Sequence, residues 1–73
     1  AMITYHKIKV EVTASNGVEY ELSIEPAFNA PHFEASLFNL TTNKQANNGE
    51  VIVIKNEEGI FKAMSSAINI LIP

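Results

Sequence analysis

His6, His32 and Glu34 are the residues best equipped to hold a metal ion, since two imidazoles and a carboxylate make a competent zinc set. Glu34 follows His32 by two positions, so on a strand both side chains share a face. His6 joins them only if the sheet brings it near. Paired carboxylates for acid–base work would be Glu11 and Glu21, which the strand pattern described below places directly opposite each other. Such a pair divides into acid and base only where the surroundings separate its two titrations; on a wet face, two like charges are solvated and mildly destabilising. Ser65 and Ser66 are adjacent hydroxyls, but no positioned base accompanies them, and their place on a polar helical arc marks them as surface. Gly17, Gly49 and Gly59 stand isolated near turns or a helix start and form no phosphate-cradling loop. The expectation is a protein that is not an enzyme and uses no cofactor.

Absences in the composition point the same way. Across 73 residues there is no arginine, aspartate, cysteine or tryptophan. Without aspartate a Ser-His-Asp triad cannot be built, and without cysteine there are neither disulfides nor thiolate metal sites. Eight glutamates against five lysines give a formal charge of −3, and Lys7 and Lys9 are the one close basic pair. Phosphate backbones are bound by clustered Lys and Arg, so no nucleic-acid partner is expected. The apolar share of 47% is that of a globular chain, and its apolar runs are too short to cross a membrane. No basic stretch followed by an apolar one opens the sequence, which places the expected location in the cytoplasm. The chain reads as one domain, 1–73. Domains below about 70 to 80 residues usually lean on disulfides, a metal or oligomerisation, and here self-association becomes the default expectation.

The elements that would position these residues are legible from hydrophobic periodicity. Ile8, Val10 and Val12 alternate with Lys7, Lys9, Glu11 and Thr13; Val18, Tyr20, Leu22 and Ile24 alternate with Glu19, Glu21, Ser23 and Glu25. This pattern predicts a hairpin with one dry and one wet face. A two-residue Asn16-Gly17 turn would set the dry rows on opposite faces. A three-residue loop, Ser15-Asn16-Gly17 with Gly17 left-handed, instead pairs Ala14 with Val18, Val12 with Tyr20, Val10 with Leu22 and Ile8 with Ile24. Pro26 and Pro31 bracket a connection. From His32 to Thr42 a strand is favoured, with Phe33, Ala35 and Leu37 on one face and Phe38 and Leu40 on the other, which calls for a bulge or two-sided burial. A helix is the alternative there, with Phe33, Leu37 and Leu40 on one stripe. A polar, Asn-rich loop leads to a strand over Glu50 to Lys55, whose continuous Val51-Ile52-Val53-Ile54 run predicts burial on both faces. Asn56 is a good N-cap, and a helix should run from there to about Leu71. The resulting fold is α+β: an antiparallel sheet of about four strands, as two consecutive hairpins, with one C-terminal helix packed on one face.

At 100° per residue the apolar positions of that helix cover roughly 200°, more than one sheet face requires. Together with the doubly apolar strand and the stray Ile3 and Tyr5, this surplus marks a candidate interface of Ile3, Tyr5, Ile52, Ile54, Phe61, Ile68 and Ile72. The segment His32-Phe33-Glu34-Ala35 leading to Leu40, a short strand, and an acidic helix start followed by Ala63, Ala67 and Ile68 resemble the small HicB-type antitoxins over about half the chain. The family's Pro-Gly turn after the leucine is missing, and an N-terminal strand is added. The resemblance implies a protein that binds and masks a small partner protein. Three readings result: a non-enzymatic protein acting through protein–protein contacts, expected as a homodimer; an inhibitor or antitoxin-like module binding a basic protein; and a small metal-binding protein using His6, His32 and Glu34.

Overall fold

The computed structural model describes residues 6–28, 31–56 and 58–72. Ile3 and Tyr5 lie outside them. The order of elements is β1 (Ile8–Thr13), β2 (Glu19–Pro26), β3 (His32–Asn39), β4 (Lys44–Gln45), a 3-10 turn (Asn47–Gly49), β5 (Ile52–Lys55) and α1 (Ile60–Leu71). The fold is α+β, with an antiparallel sheet ordered β1-β2-β3-β4, β5 also pairing with β3, and the helix on one sheet face.

The first hairpin forms in the register the alternation predicts: Ile8 faces Ile24, Val10 faces Leu22 and Val12 faces Tyr20. Its loop explains why. Gly17 takes φ +86°, a left-handed value that glycine adopts without steric penalty. The Ala14 N–H donates to the Val18 carbonyl at 2.9 Å, the Gly17 N–H donates to the Ala14 carbonyl at 2.9 Å, and Asn16 Oδ1 accepts from the Val18 N–H at 3.1 Å. A loop of this length keeps even-numbered residues on the dry face of both strands.

β3 is a strand rather than a helix, paired to β2 without interruption from Phe33 to Asn39. No bulge is needed, because Phe38 stays half-buried on the open face and Leu40 leaves the strand into a turn. That turn is held by the Leu40 N–H donating to the Glu19 carbonyl at 2.8 Å and the Glu19 N–H donating to Thr41 Oγ1 at 2.9 Å. The Asn-rich stretch is ordered beyond the sequence expectation. Left-handed Asn43 turns the chain into β4, which folds back on β3 and pairs Gln45 with Phe38 and Lys44 with Asn39, and left-handed Asn47 and Asn48 then steer the chain to β5. Asparagine tolerates this backbone region better than most residues.

β5 departs from the expected two-sided burial. Ile52 and Ile54 face the core half-buried, whereas Val51 and Val53 are exposed on the open face. The helix also begins later than expected, at Ile60. Asn56 does not cap it, because its N–H donates to the Pro31 carbonyl at 3.2 Å and extends the strand region instead. Gly59, at φ +93° and ψ 177°, then forces a break before helical geometry can start. Core side chains come from the middle of the sheet and one helix stripe: Leu22 and Ile24 are fully buried, with Phe33, Ala35 and Leu37 beside them and Ile60, Ala63 and Ala67 above. Small alanines at the contact let the helix lie close to the strands. Burying a leucine or isoleucine stabilises by about 1.5 to 3 kcal/mol, so this central patch dominates the fold.

Candidate functional site

Strand alternation sorts the charged residues onto the sheet face away from α1. There Glu11 stands opposite Glu21, and Glu25 stands opposite Glu34, with Lys9, Ser23 and Ser36 in the row between them. Both carboxylate pairs lie on the open face, Glu21 and Glu34 half-buried and Glu11 and Glu25 exposed. The arrangement is a patch of negative potential rather than an acid–base site. Like charges directly across a strand pair repel.

The metal set does not assemble. His32 and Glu34 share a face, as their spacing predicts, but His32 is opposite Lys55 while Glu34 is opposite Glu25 and Val53. His6 precedes β1, and β2 lies between β1 and β3. Among the described residues no three His or Glu side chains come together to hold a metal ion.

Ser65 is exposed on the helix, as the polar arc predicts. Ser66 lines a shallow cleft of about 150 Å³ between β5 and α1, with Ile54, Lys55, Glu58, Lys62 and Ala63. Pockets that take small-molecule ligands measure roughly 300 to 1,000 Å³, so this one is too small for a typical substrate. Its lining sets Lys55, Lys62 and Glu58 beside Ser66 and contains no histidine.

The apolar surplus is distributed differently from the sequence expectation. Of the candidate interface residues, Ile52, Ile54, Ile68 and Ile72 are half-buried against the core, and Phe61 is exposed on one flank of α1. Ile70 is 66% exposed on the other flank, Val53 is 61% exposed on the open sheet face, and Phe28 is 90% exposed in the connection after β2. The valines were hidden in a run that looked uniformly buried. The signal that finds them is the pairing of Ile54 with inward-facing Phe33, which turns Val53 outward by alternation.

At the other side of the sheet, β1 has a strand neighbour on one side only among the described residues. The helix packs chiefly on β2, β3 and β5, so the Ile8, Val10 and Val12 row is half-buried where the rows of β2 and β3 are buried. No described helix is long and apolar enough to cross a membrane. No protein-family model matches the chain, and comparison with curated proteins and with solved structures found no match.

Proposed function

We propose that this chain is a small non-enzymatic protein that acts through protein–protein contacts, first of all with a second copy of itself. The observation that carries the reading is incomplete cover. The described helix of 12 residues serves a five-stranded sheet, leaving the row of β1 on its side half-buried, and on the opposite face Val53 of β5 stands in water. In a domain this short, burying such surface against another chain adds what a single small core cannot supply. Sedimentation at micromolar concentration tests the reading. A dimer is expected, and a stable monomer overturns the homodimer.

A second reading draws on the open sheet face. Two glutamate pairs, Glu11 with Glu21 and Glu25 with Glu34, would favour a basic protein surface, as an inhibitor or antitoxin-like module would. Affinity capture from the native host separates the readings, because a basic protein released by raised salt supports this one and self-association alone supports the first. The proposed compartment is the cytoplasm, which localisation of the native protein in host cells checks.

A further inference from the structure

The edge of β1 that has no strand neighbour among the described residues carries its own pairing instructions. The Ala14 N–H and carbonyl both point to the β2 side, at Val18 and Gly17. Alternation along the strand therefore sends the main-chain groups of Val12, Val10 and Ile8 toward β2 and those of Lys9, Glu11 and Thr13 outward. Unpaired edges are usually blunted by proline, bulges, short length or charge. β1 is six residues long and contains no proline, and its register with β2 is unbroken. What remains is charge, with Lys9 and Glu11 on the wet face on either side of Val10.

We propose that β1 pairs antiparallel with β1 of a second copy, about a two-fold axis through Val10 and perpendicular to the sheet, so that one sheet runs through both copies. The inference rests on the homodimer reading and names its seam. In this register Lys9 lies opposite the partner's Glu11, Glu11 opposite the partner's Lys9, and Ile8 opposite the partner's Val12. The outward main-chain groups of Lys9 and Glu11 then meet each other in hydrogen-bonded pairs, and the dry rows of both copies stay on the helix side. Other registers fail for identifiable reasons. A slip of one residue sets dry side chains against wet ones. A slip of two, the next that main-chain alternation allows, either sets Glu11 against the partner's Glu11, and like charges directly opposite are destabilising, or sets Lys9 against the partner's Lys9, with Lys7 opposite the partner's Glu11, and pairs only Ile8 to Val10 of the strand. Charge at this edge thus selects a partner rather than excluding all of them.

The axis supplies a direct test. At Val10 the two strands form a non-hydrogen-bonded pair, with Cα atoms about 4.5 Å apart, inside the range a disulfide spans. The chain has no cysteine of its own. Val10→Cys in the full chain should therefore oxidise to a disulfide-linked dimer on a non-reducing gel, while Val12→Cys, on the same half-buried row but facing the partner's Ile8, should not. In parallel, Lys9→Glu should raise the dimer Kd about tenfold or more by setting like charges across both symmetry-related positions, and the Lys9→Glu/Glu11→Lys double variant should return it to within about threefold of the parent. Both charged positions lie on the wet face, so the charge variants leave core packing untouched. A parent chain that sediments as a monomer overturns both the homodimer reading and this seam. A parent dimer in which both cysteine variants crosslink alike, or neither does, and in which Lys9→Glu leaves Kd unchanged, overturns the seam alone and leaves the homodimer standing.

Discussion

All three glycines hold a positive φ that other residues resist, and the structure ranks two of them. Gly17 and Gly59 both have positive φ, and an added Cβ would meet nothing within 4 Å at either position, so substitution is resisted by the backbone rather than by crowding. Gly17 sits in the left-handed turn region, where an alanine costs about 1 to 2 kcal/mol. Gly59 pairs φ +93° with ψ 177°, a region essentially reserved for glycine, where the cost reaches roughly 1 to 3 kcal/mol. Urea unfolding should show Gly59→Ala lowering the midpoint more than Gly17→Ala, with unchanged slope in both. The facing carboxylates make an opposite case. Glu25→Lys places a cation opposite Glu34, so the midpoint should rise at low salt and the gain should shrink as salt screens it. The need for glycine at position 17 was readable from hairpin arithmetic alone. The break at Gly59 was not, because a glycine after Glu57 and Glu58 is also compatible with a weakened first helical turn.

At the level of elements, long strands with clean alternation announced themselves and short or context-dependent ones did not. β1 and β2 follow the sequence pattern residue for residue, since a period of two with one wet face admits only one hairpin register. β4 has two residues, too few to carry a period, and its pairing depends on left-handed asparagines that composition alone reads as loop. β5 shows the limit of reading burial from an apolar run, because Val51 and Val53 are as hydrophobic as Ile52 and Ile54 yet face water. The helix was legible in its stripe but not in its start, which Asn56 relinquished to a strand hydrogen bond. Its contact with the sheet gives a paired prediction. Ala67 is fully buried on the sheet-facing side of α1, so Ala67→Leu should destabilise by about 1 to 3 kcal/mol through overpacking. Ser65→Ala, on the exposed arc, should stabilise by roughly 0.5 kcal/mol through helix propensity. Thermal melts followed by circular dichroism separate the two.

For the molecule as a whole, the surface is less finished than the core. The sequence indicated a surplus of apolar area, and the structure locates it on the margins of the sheet and the flanks of α1 rather than on all the residues first named. Metal chemistry was the reading most dependent on tertiary placement, and sheet order separates His6 from the other two ligands in a way no local spacing could reveal. If the proposed dimer supplies part of the fold's stability, the melting temperature should climb with protein concentration, as binding to the native state requires. Lys9→Glu should flatten that dependence. A melting temperature unchanged over a hundredfold dilution of the parent chain would instead show that one copy is sufficient.

The tight turns also govern how the protein ages. Asn16-Gly17 and Asn48-Gly49 are the dipeptides in which the glycine nitrogen most readily attacks the asparagine side-chain carbonyl, expelling ammonia and closing a succinimide that water opens to aspartate or isoaspartate. Here both nitrogens are engaged, Gly17 donating to Ala14 at 2.9 Å and Gly49 donating to Ala46 at 3.0 Å, with each glycine held at a positive φ. Deamidation at either site therefore has to wait for the turn to open, and its rate becomes a clock for local unfolding. Peptide mapping after prolonged incubation should find isoaspartate at both sites accumulating more slowly in the folded chain than in the same chain held in denaturant.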